Sequence, residues 1–321
     1  MNVSRLLRWE SMLALVLVLE FVLFSSLSPY FLSVDTLSDA TFNFTERALI
    51  ALPLALLIIA GEIDISVAAI IALASVAMGL AAAQGIGTAG LAAVGLATGL
   101  GAGCVNGALV TLGRVPSIVA TIGTMTLFRG AAYAVLGDRV LKDYPASFAT
   151  FGQGYAFGPV SIELTFFIVF ALVFGLFLHR MRWGRAIFAI GANPVASRFA
   201  GLAVDRYRFA LFALTGLFSG FAAVLLTSRL GSTRPSIAQG WELEIVSMVI
   251  LGGVSVWGGK GSIMGVVLAA LVFGLATFGL GLMNIPGIVM SIFTGALLIL
   301  VVAIPAWLDR PRRQRVPVNS T

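Results

Sequence analysis

Glu62 and Asp64 are two carboxylates set in an otherwise apolar stretch. They stand in Ala60-Gly61-Glu62-Ile63-Asp64-Ile65-Ser66, and the runs on either side are nearly continuous from 48 to 83. Each carboxylate held near the centre of a bilayer costs about 2.5–3.5 kcal/mol or more. Gly61 and the two acids therefore predict a break in place of one straight helix. Two readings of that break stand side by side. Asp64 and Ser66 can cap the N-terminus of the next helix. Equally, the break can line a translocation path, where irregular backbone is tolerated because it faces water or protein.

Most other polar groups in apolar runs are neutral. Asn106, Thr121 and Thr124 are the ones that bear most on a path, and Thr121 and Thr124 lie three apart on one helical face beside Pro116. Most such groups bond to backbone or to neighbouring helices. A path lined by them would suit a neutral polyhydroxylated solute, which needs hydrogen bonds and no counter-charge. Glu20, Glu62 and Asp64 are the acids deep in apolar runs, and no series of acids and histidines suggests a proton relay. The single His179 cannot build a zinc or di-iron cluster. It reads as an interface residue. Cys104 has no intrachain partner and reads as a packed thiol. No metal, cofactor or catalytic residue is expected in this chain.

A second break follows at Leu251-Gly252-Gly253-Val254-Ser255-Val256-Trp257-Gly258-Gly259-Lys260-Gly261-Ser262, with glycine pairs flanking a stretch that includes Ser255. A phosphate-cradling loop needs Gly, four residues, then Gly-Lys-Ser/Thr. Here the first position is Val254 and Lys260 is followed by Gly261, so the match fails twice. ATP is not bound by that route.

The elements that carry these residues follow from composition. Hydrophobic residues make up 59% of 321 and charged residues 11%, whereas a soluble domain is about one quarter charged. A helix needs roughly 20 apolar residues to cross a bilayer, so the chain holds nine or ten crossings. The expected class is all-α, a polytopic transmembrane helical bundle. The spans fall at about 12–28, 47–61, 66–83, 88–111, 116–136, 161–178, 208–228, 241–252, 262–282 and 285–307. Eight spans result if the second and third, or the eighth and ninth, form re-entrant hairpins. The first span carries Glu20 and no clean cleavage site follows it, so it reads as a retained helix. No soluble domain fits the gaps, and residues 1–321 read as one transmembrane domain.

Lys and Arg orient the bundle. With the N-terminus in the cytoplasm, fourteen of the twenty positive residues fall on that side. Both termini are then cytoplasmic, with tails at 1–11 and 308–321 and a basic cytoplasmic loop at 179–207. The net charge of +6 thus marks a membrane orientation, and nucleic acid is not expected as a partner. Gly99, Gly103 and Gly107 recur every fourth residue, a face that lets helices approach closely. Spans 2–5 and 7–10 enter from opposite sides and each block holds a break, which suggests an inverted repeat.

Within the 179–207 loop, Asn193 can cap a short helix, Pro194 suits its first turn, and Gly201 can end it. It would carry Val195, Ala196, Phe199 and Ala200. So short a helix needs a surface to dock on, either the membrane interface or a cytoplasmic protein that delivers force.

That segment, Gly191-Ala192-Asn193-Pro194-x-Ala196-Ser197-Arg198-x-Ala200-Gly201-Leu202, resembles the cytoplasmic coupling loop of carbohydrate ABC importer permeases, the group that includes the ribose, xylose and arabinose permeases. Gly61-Glu62-Ile63-Asp64-Ile65-Ser66 resembles that family's GGIDLS signature, with Glu62 in place of the usual second Gly. The glycine-flanked stretch 252–262 resembles its third signature. The similarity covers about 12–307. Glu62 and the run Phe42-Asn43-Phe44-Thr45-Glu46 resemble the rhamnose permeases most and the autoinducer-2 permeases next.

The resemblance implies a permease subunit of a bacterial inner-membrane importer that moves a sugar, rhamnose or a similar monosaccharide, from periplasm to cytoplasm. It implies a periplasmic sugar-binding protein, a second permease making a homo- or heterodimer, and a cytoplasmic ATP-binding subunit that holds ATP and Mg. Rhamnose systems typically use two different permeases, which makes a heterodimer plausible here beside a homodimer. Membrane lipid surrounds the rest. The ATP-binding subunit would press on 191–201, making Gly191, Asn193, Pro194, Ser197, Arg198 and Gly201 the coupling residues. Without the resemblance, an ion-coupled secondary transporter of a small polar solute would share the ten spans and the broken helices.

Overall fold

The computed structural model describes residues 3–42, 44–287, 289–290, 292 and 295–296. Among them the chain forms thirteen α-helices. These are α1 (Val3–Leu27), α2 (Val34–Phe42), α3 (Thr45–Ile59), α4 (Val67–Ala83), α5 (Thr88–Thr111), α6 (Ser117–Leu136), α7 (Thr150–Gln153), α8 (Ile162–Arg180), α9 (Arg182–Ala192), α10 (Pro194–Phe199), α11 (Val204–Leu230), α12 (Trp241–Leu251) and α13 (Ile263–Leu282). Apolar runs take this form because a helix satisfies its own backbone where no water can.

The expectation of ten full crossings is met only in part. Among the described residues, six helices are long and apolar enough to span, namely α5, α6, α8, α11, α13 and Trp9–Leu27 of α1. A seventh results if α2 and α3, bent by 47°, count as one. The segments expected at 47–61, 66–83 and 241–252 are helical but short, at 15, 17 and 11 residues. At 1.5 Å per residue they measure about 22, 25 and 16 Å, against a hydrocarbon core of about 30 Å. The tenth span, 285–307, and the tail at 308–321 lie largely or wholly outside the described residues.

The short helices nonetheless connect the two ends of the bundle. At one end Glu46 of α3 accepts from Arg229 of α11, and Arg47 pairs with Glu244 of α12. At the other, the stretch after α3 meets the stretch after α12, and Trp9 Nε1 of α1 donates to Leu251 O at 2.8 Å. Every residue of α3 except Arg47 is buried. A helix apolar on all sides belongs in the middle of a bundle, and α3 is the core around which the rest packs.

Gly99, Gly103 and Gly107 close the seam between α5 and α11. A Cβ on Gly99 would stand 2.6 Å from Gly220 Cα, one on Gly103 2.9 Å from Gly216 Cα, and one on Gly107 3.0 Å from Phe209 Cδ2. The stripe is a packing face, as its spacing predicts.

Three features depart from expectation. Helices α2 and α9 stand where no helix is expected. The gap at 137–160 holds α7, a 3₁₀ turn at Ala146–Ala149 and a two-stranded antiparallel pair, β1 (Tyr155–Phe157) and β2 (Val160–Ser161). These few strand residues leave the all-α class intact. Thirdly, the two chain breaks sit at the same end and touch. An inverted repeat would place equivalent breaks on opposite faces, so these two are not its symmetry mates.

Candidate functional site

The three interruptions seen in the sequence meet at one point. Gly259 N donates to Ile59 O at 2.8 Å, joining the stretch after α12 to the end of α3. A Cβ on Gly258 would lie 3.0 Å from Gly191 O and 3.1 Å from Gly61 Cα. One on Gly191, in the last turn of α9, would overlap Ile59 O and stand 2.5 Å from Gly259 N. Gly61, Gly258 and Gly259 adopt φ of +85°, +79° and +70°, a region that L side chains seldom enter. Three backbones can cross here because none of them carries a side chain.

Beside this junction lies a closed polar cluster. Asp64 Oδ1 accepts from Ser66 N at 2.8 Å and from Ser66 Oγ at 2.7 Å. Asn106 of α5 donates its amide to Asp64 Oδ2 at 3.1 Å and to Ser66 Oγ at 2.8 Å. All three side chains are fully buried. Asp64 thus accepts from the backbone of Ser66, the residue before the first turn of α4, and caps no N–H inside that helix, so the cap reading is not met. Ser66 occupies the N-cap position of α4 but makes no capping bond of its own. Asn106 Oδ1 is buried with no partner among the described residues.

The N-terminal turn of α6 holds the break from the other side. Ile63 N donates to Ser117 Oγ at 3.3 Å, while Thr121 Oγ1 donates to Ser117 O at 2.8 Å and reaches Ile63 O at 3.4 Å. Thr124 Oγ1 bonds to Thr121 O at 3.3 Å. Thr121 and Thr124 are buried, and their hydroxyls are engaged by backbone. Ser255 belongs to the other break, where its N donates to Lys260 O and its O accepts from Gly258 N. The structure therefore gathers Glu62, Asp64, Ser66, Asn106 and Thr121, leaves Thr124 one turn further along α6, and sets Ser255 in a separate turn.

Glu62 departs from its neighbours. Its Oε1 lies 2.9 Å from Arg208 Nη1 at the start of α11. The pair borders a cavity of about 630 Å³, also lined by Thr111, Arg114, Ser117 and Arg198. Arg208 went unsingled in the sequence, where it is one positive residue of a basic loop. Nothing in its spacing couples it to a glutamate 146 positions earlier.

The short helix expected after Asn193 is α10. Asn193 Oδ1 accepts from Ala196 N at 2.9 Å, Pro194 opens the helix, and Gly201 follows its end at φ +84°. Ser197 is buried, and Arg198 pairs with Asp205 at 2.7 Å. Val195, Ala196, Phe199 and Ala200 are exposed, Phe199 by 90%.

Residues 37–302 match the family described as branched-chain amino acid transport system / permease component. The chain belongs to this permease family. The autoinducer 2 import system permease protein of Photorhabdus temperata is 34% identical over 99% of this chain and all of its own length. That of an Enterobacter species (strain 638) is 36% identical over 92% of both chains. That of Escherichia coli K12 is 34% identical over 96% of this chain and 98% of its own. No solved structure matches the chain. The permease is a multi-pass membrane transport subunit and not an enzyme. In it, the junction lies where α3, α9 and the stretch after α12 come together, and the cavity lies between Glu62, the turn from α5 to α6, Arg198 of α10 and the start of α11.

Proposed function

We propose that this permease is the membrane subunit of an ATP-driven importer that carries a small, neutral, polyhydroxylated solute into the cytoplasm of a bacterium. The observation that carries the reading is the meeting of Gly61, Gly191 and Gly258–Gly259. Through it, a push on α10 and α9 reaches the two breaks in the bundle with no intervening flexible side chain. ATP and Mg belong on a cytoplasmic ATP-binding subunit seated on Val195, Phe199 and their neighbours, with Gly191, Asn193, Pro194, Ser197, Arg198 and Gly201 shaping the contact. The end bearing 60–66, 179–207 and 252–262 then faces the cytoplasm, as do both termini. A periplasmic solute-binding protein delivers at the opposite end, and a second permease, identical or different, completes the pore.

Asn106 Oδ1 supports a hydroxylated solute, since it is a buried acceptor beside the break with no partner among the described residues. The Glu62 signature favours rhamnose or a similar monosaccharide. The names of the relatives favour autoinducer 2 as a second reading. Uptake of labelled rhamnose and of labelled autoinducer 2 by a strain lacking this permease separates the two. Loss of rhamnose uptake alone supports the first, and loss of autoinducer 2 uptake alone supports the second. Uptake of either that survives ATP depletion and ceases with an ionophore would sink the ATP-driven reading in favour of an ion-coupled carrier.

A further inference from the structure

Glu62 and Arg208 join two parts of the chain that a transport cycle must move relative to one another. Glu62 sits in the irregular stretch between α3 and α4. Arg208 begins the second turn of α11. Their side chains are 9% and 18% exposed, and Arg208 Nε is buried without a partner among the described residues. Removing one member of such a pair leaves a buried, uncompensated charge, which is strongly destabilising. The guanidinium is therefore anchored to the break through Glu62.

The pair continues toward α10. Asp205 lies three residues before Arg208 and so shares its face of α11. Asp205 accepts from Arg198 of α10 at 2.7 Å, with both side chains more than half exposed. Such an exposed pair is weak and screened by salt, whereas the Glu62 pair is shielded. Arg198–Asp205 and Glu62–Arg208 are thus two ion pairs set along one face of α11, the first exposed and screened where α10 meets α11, the second shielded where α11 meets the break. All four side chains border the same cavity. Displacing α11 away from the break would part Glu62 from Arg208 and hydrate both charges from that cavity. Returning it would expel the water and reseal the mouth.

We infer that the Glu62–Arg208 pair is a latch that holds the cytoplasmic mouth of the path shut and links displacement of α10 to the break at 60–66. The inference rests on the transport function proposed above. Both residues act by position, with no contact to the solute required.

The test uses the complete importer in proteoliposomes, this permease with its ATP-binding subunit, partner permease and binding protein, and reads solute taken up per ATP hydrolysed. Glu62→Gln and Arg208→Gln are each expected to lower that ratio about tenfold, with ATP hydrolysis no longer dependent on solute. The exchange Glu62→Arg with Arg208→Glu is expected to bring the ratio back to within about threefold of wild type. Single variants with an unchanged ratio, or an exchange no better than the singles, would overturn the latch. Should Arg208→Gln fail to assemble, Arg208→Lys decides. It keeps the charge and is expected to stay within about threefold of wild type, and a tenfold loss overturns the latch. A failure of the transport function itself looks different, because wild-type proteoliposomes then take up no solute on ATP.

Discussion

Gly191 and Ile59 are in backbone contact, the last turn of α9 against the last residue of α3. There is no room at Gly191 for a methyl group, because a Cβ would overlap the Ile59 carbonyl oxygen and crowd Gly259 N at 2.5 Å. Gly191→Ala must therefore push α9 off the junction. Overpacking of this kind costs about 1–3 kcal/mol. Thermal denaturation of the purified permease is expected to show a lower midpoint, and uptake is expected to fall further than the loss of folded protein explains. Wild-type uptake from Gly191→Ala would show that the contact is dispensable.

The Asp64–Ser66–Asn106 cluster predicts a stability effect that depends on charge. Asn106→Leu leaves Asp64 Oδ2 without its amide donor, a loss of about 1–3 kcal/mol for a buried acceptor, and more if the carboxylate stays ionised. Asp64→Ala combined with Asn106→Ala should cost less than the sum of the two, with a coupling of about 0.5–3 kcal/mol. Additive losses in a denaturation series would mean that the bond carries no weight.

The seam between α5 and α11 has a built-in control. Gly99→Val and Gly216→Val place branched side chains where backbone from the facing helix already stands, whereas nothing lies within 4 Å of a Cβ at Gly101. The first two variants are expected to insert in the membrane but to elute as aggregate on size-exclusion chromatography. Gly101→Ala is expected to elute as wild type, within about 0.5 kcal/mol of its stability.

Helix α10 offers a separation of docking from folding. Phe199 is 90% exposed and Val195 58%, so Phe199→Ala and Val195→Ala should leave the permease stable to within about 0.5 kcal/mol. They are expected to reduce recovery of the ATP-binding subunit on affinity purification of the permease. Asn193→Ala acts on the helix itself, costing about 1 kcal/mol by loss of the cap to Ala196 N. Undiminished recovery from all three variants would remove α10 as the docking element.

Much of this molecule was legible without coordinates where the determinant is local. Low charge and long apolar runs define a membrane bundle, because the bilayer leaves only helices or closed barrels as solutions. Gly61 with two acids marks the break, and Asn193-Pro194 marks the start of α10, with Gly201 just past its end at Phe199, because caps and terminators act within a few positions. The glycine stripe of α5 was readable as a contact face for the same reason. What it contacts was not, since Gly216 and Gly220 lie more than a hundred residues away.

Tertiary structure alone decided the rest. Asp64 is enclosed by Asn106, and Glu62 pairs with Arg208, only because α5 and α11 pass beside the break. No spacing within one helix encodes either partner. Thr121 and Thr124, apt by type for a path, turn out to be held by their own backbone. The chain by itself determined where it must bend, through residues that cannot lie comfortably in a straight apolar helix. The packing determined that its three bends share one place, since only there do glycines from three distant segments allow their backbones to touch.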